Sequence, residues 1–311
     1  MSNDTGPAMT ITQSDINAAA TRIKGHVHVT PVMRSSAFGL PLQFKLEHTQ
    51  ITGSFKARGA FNSLLTADVP PAGIVAASGG NHGAAVAHAA KTLGHEAHIF
   101  VPEFAGPAKI DVIRQTGATL HIVAGAYADA AAAANAHQAA TGALDIHPYN
   151  GPATLAGQGT CFQEWDAQGL DADTIIIAIG GGGLIGGAMV WFKDRNIIGV
   201  ETETTNSMHA ALQHGPETDV DVSGICANAL GAKRVGRMAY DIAKGRDLQT
   251  LLLPDAAIAH AQKLLWQNLR QLVEPAGAAA LAAITSGAYK PAKGEKVAIL
   301  LCGANPAPIP I

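Results

Sequence analysis

Three apolar runs of strand length in this chain each stop at a cluster of glycine and small polar residues. Thr174 to Ile179 (TIIIAI) enters Gly180-Gly181-Gly182-Gly183, Gly73 to Ala77 (GIVAA) enters Ser78-Gly79-Gly80-Asn81, and Val297 to Leu301 (VAILL) enters Cys302-Gly303-Ala304-Asn305. After the first two a helix-forming stretch follows directly, Leu184 to Phe192 and Asn81 to Leu93. A run that is apolar at every position suits a strand buried on both faces, and helices are what cover both faces of a parallel sheet. An α/β fold is the expectation.

The remaining segments alternate in the same way. The spacing of Ile16, Ala19, Ala20 and Ile23 predicts a helix capped near Ser14-Asp15, after a loose tail of about ten residues. Pro41 to Glu47, Ala97 to Val101, Thr119 to Val123, Leu144 to His147 and Ile197 to Val200 read as strands. Helices are expected around Ala108 to Gln115, over alanine-rich Ala128 to Ala140, over Thr154 to Trp165, near Ser207-Gln213 and near Val235-Ala243. Asp255 reads as the N-cap of a long helix to Val273. No linker or repeat divides the chain.

Composition excludes several classes. With 48% hydrophobic and 14% charged residues over 311 positions, the chain can bury a large core, and a net charge of −3 leaves no electrostatic footprint for nucleic acid. No apolar run approaches the ~18 residues of a membrane-spanning helix. The N-terminus lacks a basic and an apolar signal region, so the cytoplasm is the expected compartment. Cys161, Cys226 and Cys302 are odd in number and far apart, which argues against a disulfide framework or a zinc site.

The chemistry concentrates at Thr52-Gly53-Ser54-Phe55-Lys56-Ala57-Arg58-Gly59-Ala60, which opens a helical pattern carried on by Phe61, Leu64 and Leu65. A helix N-terminus disfavours cations. A lysine there is either a solvated surface group or an amine of lowered pKa, able to form a Schiff base. Gly180 to Gly183, between a buried strand and a helix, suits an anion such as a phosphate. Its Gly181-x-Gly183-x-x-Gly186 spacing, with Glu201 ending the next strand, also matches the dinucleotide fingerprint of an NAD-dependent dehydrogenase. Ser78 to Gly83 is a second strand-to-helix nest.

The lysine stretch, the two glycine nests and the Cys302 turn, in this order, resemble the fold-type II pyridoxal-phosphate enzymes, close to serine and threonine dehydratases and serine racemase. The resemblance covers about Ile16 to Pro306. It implies a tryptophan synthase β-like fold of mostly parallel twisted sheets. A small domain, residues 45–145, would be inserted in a large one, residues 1–44 plus 146–311, with the cofactor in the cleft between them. It implies that Lys56 holds pyridoxal phosphate beside Phe55, that Gly180, Gly181, Gly182 and Gly183 cradle the phosphate, and that Asn81 bonds the ring oxygen. Cys302 would lie beside the pyridine nitrogen, or else is a buried inert thiol. Ser78, Gly79, Asn81, His82 and Gly231 fall on the substrate side, with His82 read either as an acid–base group or as a packing or capping residue. Glu274 to Gly277 matches a supporting motif. Lys233, Arg234 and Arg237 read as a solvated helix start.

Glu201, Thr205 and Ser207 match a cation loop, where the neutral Ser207 favours K⁺ over a divalent ion; a solvated acidic turn is the other reading. The racemases carry serine where this chain has Gly79. Glycine cannot pass a proton, so elimination is favoured over racemisation. The expected activity is conversion of a β-hydroxy L-amino acid such as serine or threonine to the 2-oxo acid and ammonia, in a homodimer. With only five residues after Pro306, no C-terminal regulatory domain is expected, which suits amino-acid catabolism. Ile51, Gly79 and Cys302 depart from the commoner pattern and leave hydroxyaspartate or phenylserine open as substrates, with serine or aspartate racemisation as the alternative reaction.

Overall fold

The structure is a computed structural model that describes residues 10–305 apart from 104, 106 and 126; the expected tail, residues 1–9, lies outside them. Helix α1 (Gln13–Ile23) leads to β1 (Val32–Ser35), β2 (Leu42–Lys45), two short 3-10 turns (Glu47–Thr49 and Ile51–Gly53) and α2 (Lys56–Thr66). Then come β3 (Ile74–Ala77), α3 (Asn81–Leu93), β4 (Ala97–Pro102), α4 (Pro107–Gln115), β5 (Thr119–Val123), α5 (Tyr127–Thr141) and β6 (Leu144–Asp145). The chain continues through α6 (Pro152–Ala167), β7 (Thr174–Ala178), α7 (Gly183–Trp191), β8 (Asn196–Thr202) and α8 (Ser207–His214). It closes with α9 (Ala227–Leu230), α10 (Arg237–Gly245), β9 (Gln249–Leu253), α11 (Asp255–Leu269), α12 (Pro275–Thr285) and β10 (Val297–Leu300).

Two sheets result. Six strands take the order β1-β2-β10-β7-β8-β9, and four take the order β5-β4-β3-β6. Every pairing is parallel except β1 with β2. The reason lies in the runs themselves: all five residues of β7 and all four of β10 are buried, and α12, with eight buried residues, covers them. Each fully buried isoleucine there contributes roughly 1.5–3 kcal/mol. The smaller sheet packs its own core, with Ile74, Ile99 and Val101 against Ala85, Ala89 and Phe61.

Several boundaries differ from the sequence expectation. Thr12, not Ser14-Asp15, caps α1: its hydroxyl accepts from the Asp15 amide, and the Asp15 carboxylate accepts from the Thr12 amide at 2.8 Å. Pro254 is the cap of α11, Asp255 its first residue, and the helix stops at Arg270, which is left-handed (φ 56°). Strands β1 and β9 and helices α9 and α12 were not anticipated.

Candidate active site

In parallel sheets of this kind, ligands bind beyond the carboxyl ends of the strands. Here the ends of β2, β3, β7 and β10 lead to residues 47–56, Ser78–Gly80, Gly180–Gly182 and Cys302–Asn305. One cleft is lined by Lys56, Asn81, Tyr149, Glu274, Cys302 and the turn 180–183.

Lys56 is the first residue of α2. Its ammonium donates to the carbonyl of Pro148 at 2.8 Å and lies 5.2 Å from the centre of the Phe55 ring. The residue is half-buried, but the charged end is enclosed, and solvation of that end sets the titration. Burial pushes the ammonium down to about 8, against the pull of the Glu274 carboxyl. Cys302 adds no charge, because burial pushes its thiol up and keeps it neutral; its Sγ lies 3.5 Å from the Ala276 carbonyl.

Two residues on, Arg58 is buried in an ion network. It donates to both oxygens of Glu47 at 2.7 and 2.8 Å and to Glu164 at 3.0 Å. Lys45 joins Glu164 at 2.6 Å and the Thr30 carbonyl at 2.9 Å. Burial alone would push Glu47 up, yet Arg58 holds it below its ordinary value, and Glu47 holds the guanidinium above its own. This network ties the start of α2 to β2 and α6.

The turn after β7 is closely packed. Gly182 adopts φ +91°, and a Cβ on Gly181 would fall 2.2 Å from the ring of Tyr149. The Tyr149 hydroxyl donates to the Arg234 carbonyl at 3.1 Å, which fixes the ring over the turn. The first amides of α7 have no partner within the helix and point to the end that faces the cleft. A buried amine of lowered pKa, facing a helix N-terminus on a glycine cradle, fits a group carrying both an aldehyde and a phosphate. Pyridoxal phosphate is such a group.

Asn81 begins α3 and lines the cleft with its amide. Ser78, Gly79, His82 and Gly231 do not line it. The Ser78 hydroxyl accepts from the Gly80 amide at 3.2 Å. His82 is turned to the Ile146 carbonyl, 2.6 Å from Nε2, and burial pushes it down to about 3, so it is a neutral packing residue. Gly231 is required by close approach, since a Cβ would lie 2.0 Å from the Ala227 carbonyl. A Cβ at Gly79 would meet the Ala105 Cβ at 2.8 Å. Glycine there relieves packing against Ala105 and opens no room in the cleft.

Glu201 accepts from the amides of Met208 and His209, both at 2.8 Å, and so caps α8; burial pushes its carboxyl up to about 8. The Thr205 hydroxyl bonds that of Thr202 at 2.9 Å, and Ser207 donates to the Gly180 carbonyl at 3.3 Å. Among the described residues no three His, Cys, Asp or Glu side chains could hold a metal ion. Glu201 is fully buried and does not line the cleft, so it is unsuited to gripping a ribose there, which removes a support of the dinucleotide reading. Arg234 pairs with Glu217 and Asp219, and Arg237 with Asp241, as expected of a solvated helix start.

Sequence reasoning missed Tyr149, the Pro148 carbonyl and Asn305, and treated Glu274 only as support. The one available signal was position: His147-Pro148-Tyr149-Asn150 follows a short strand, where parallel sheets place their sites.

Comparison with known proteins agrees with this geometry. Residues 23–303 match the family described as pyridoxal-phosphate dependent enzyme. The chain is 35% identical to L-threonine ammonia-lyase of Thermotoga maritima over 305 residues, covering 95% of this chain and 76% of that protein. It is 34% identical to phenylserine dehydratase of Ralstonia pickettii over 309 residues, covering 95% and 94%. The structure of maize serine racemase superposes with a TM-score of 0.88 at 32% identity, covering 96% of this chain and 94% of that one. With a lysine amine enclosed in the cleft beside a glycine turn and a match over nearly its whole length, the chain belongs to the fold-type II pyridoxal-phosphate-dependent enzymes, in the branch that holds dehydratases and racemases.

Proposed function

We propose that this protein is an ammonia-lyase that eliminates water from a β-hydroxy L-amino acid and yields the 2-oxo acid and ammonia. The observation that carries the reading is Lys56, whose enclosed amine is pulled down to about 8 beside the glycine turn. The resemblance to the racemases supports it, since they carry serine where this chain has Gly79, which has no side chain to pass a proton. Racemisation needs acid–base groups on both faces; elimination needs one base.

Pyridoxal phosphate, when bound, supplies the electron sink that lets charge leave the substrate Cα. Lys56 would hold it covalently and then act as the base at Cα, since a group half-neutral near pH 8 can take a proton under ordinary conditions. Gly180 to Gly183 and the start of α7 would hold the phosphate, and Asn81 the ring oxygen. Phe55 shields the amine, and the neutral Cys302 thiol would sit beside the ring nitrogen. The K⁺ assigned to Glu201, Thr205 and Ser207 belongs to the same reading, with dependence of activity on added potassium as its check.

The likeness to a phenylserine dehydratase over 94% of its length keeps bulky β-substituents among the candidate substrates. The test is a panel of L-serine, L-threonine, phenylserine and hydroxyaspartate, assayed for ammonia and 2-oxo acid and for the D-enantiomer. Release of ammonia with no D-amino acid is expected. Accumulation of D-serine at a rate matching ammonia release would overturn the elimination reading.

A further inference from the structure

Four groups from separate parts of the chain form a line of hydrogen bonds at one wall of the cleft. Asn305 donates through Nδ2 to the Thr52 carbonyl at 3.1 Å and to Oδ1 of Asn81 at 2.5 Å. Asn81 in turn donates through Nδ2 to Oε1 of Glu274 at 2.5 Å. Thr52 precedes Lys56 by four residues, Asn81 opens α3, Glu274 precedes α12 as its N-cap, and Asn305 follows β10. The line therefore joins α3, which packs on the smaller sheet, to the larger sheet and to the approach to Lys56.

Its direction is fixed from both ends. A backbone carbonyl and a carboxylate oxygen can only accept, so the Asn305 amide must turn its NH₂ to Thr52 and the Asn81 amide must turn its NH₂ to Glu274. The two amides then meet as donor and acceptor, which is the one arrangement that satisfies all four groups. Usually the orientation of a side-chain amide has to be assigned from its network; here the network leaves no choice. Among the described residues, both N–H groups of Asn305 are used, whereas Asn81 uses one of its two.

The surroundings are cut to fit this line. Thr52 is left-handed (φ 63°), a conformation that costs a non-glycine residue of order 1–3 kcal/mol. A Cβ at Gly303 would fall 2.1 Å from Glu274 Oε1, and one at Gly53, itself at φ +75°, would fall 2.7 Å from Asn305 Oδ1. Glu274 is further held by its amide, which donates to the Gly303 carbonyl at 3.1 Å. Glu274 is 2% exposed.

We propose that Glu274 and Asn305 are positioning residues that lock the Asn81 amide so that its second N–H meets an acceptor oxygen of the cofactor in the cleft. This rests on the pyridoxal-phosphate reading above and adds to it two residues that act through Asn81. The polarity of the line, more than its charge, does the locking.

The test is titration of the purified full chain with pyridoxal phosphate, followed by its absorption bands, in wild type, Asn305→Asp, Asn305→Ala and Glu274→Gln. Asn305→Asp sets an acceptor against an acceptor. It should weaken binding at least tenfold, about 1.4 kcal/mol, and change the ratio of visible to near-ultraviolet absorption. Glu274→Gln keeps an acceptor oxygen and should stay within a few-fold of wild type in affinity, with a smaller change of band ratio than Asn305→Asp, since only the pull of the carboxyl on Lys56 is lost. A merely structural role would lower the unfolding temperature without moving the bands. Should Asn305→Asp fail to fold, Asn305→Ala reads the same loss of a donor. An unchanged spectrum and affinity in the Asn305 variants, or equal damage from Glu274→Gln, overturns the inference while leaving the cofactor reading intact. A wild type that develops no visible band overturns both.

Discussion

Lys56 and Arg58 are cations two residues apart at the start of one helix, and the fold treats them in opposite ways. Arg58 lies between Glu47 and Glu164 with five donor contacts to carboxylates and a threonine, and its charge is held on. Lys56 reaches the cleft with the Pro148 carbonyl as its hydrogen-bond partner among the described residues, and its charge is loosened, to about 8. Burial is common to both, so burial alone decides neither. What differs is where the counter-charges stand. The network fixes the base of the helix so that an amine can be kept poorly solvated two residues away; on the function proposed above, Arg58 acts in stability and Lys56 in chemistry.

The comparison is broken most severely from the Arg58 side. Arg58→Met leaves Glu47 buried without its partner and should cost about 3–5 kcal/mol in chemical unfolding. Adding Glu47→Gln should recover part of that loss. Lys56→Ala, tested in parallel, should shift unfolding by less than about 1 kcal/mol, since surface and cleft positions outside such networks contribute little. Equal destabilisation by the two substitutions would contradict the division of roles.

On the Lys56 side the glycine turn gives the next largest effect. Gly181→Ala drives a methyl into the Tyr149 ring and should weaken pyridoxal phosphate binding tenfold or more, about 1.4 kcal/mol. Tyr149→Ala in the same chain should restore most of the affinity, and its failure to do so would show that the turn itself was damaged.

The pH dependence sharpens the contrast further. The neutral amine is the reactive form, so the rate at which cofactor-free protein develops its visible band with added pyridoxal phosphate should fall tenfold per pH unit below about 8 and level off above it. A rate still rising steeply at pH 10 would place the amine at its ordinary value. The smallest effect is expected from Cys302→Ser, which keeps a neutral hydrogen-bonding group against Ala276; activity should change less than threefold, about 0.7 kcal/mol.

These residues were unequally legible in the sequence. Lys56 and Gly180 to Gly183 could be singled out because their signals are local: a lysine at a helix start, and four glycines between a wholly apolar strand and a helix; the resemblance chose among the readings each allowed. The buried strands β7 and β10 were legible for the same reason. The edge strand β1 (VMRS) and the outer strand β9 (QTLLL) were not, because their half-buried patterns carry little hydrophobic contrast. Arg58 was read as a neighbour of Lys56 with no clue to its depth, since Glu47 and Glu164 reach it through the fold. Tyr149, Glu274 and Asn305 acquire their roles only through contacts across 80 or more residues, to Arg234, to Asn81 and again to Asn81. His82 was legible only as two alternatives, an acid–base group or a packing residue, and the structure turns it to the Ile146 carbonyl, as the second would have it.

The central claim is that Lys56 is the amine that holds the cofactor. The direct measurement is borohydride reduction of the protein loaded with pyridoxal phosphate, followed by peptide mapping. One reduced cofactor per chain, on the peptide carrying Ser54-Phe55-Lys56 and absent in Lys56→Ala, is the predicted result. A label on another lysine, or a visible band in Lys56→Ala that borohydride still removes, would contradict it.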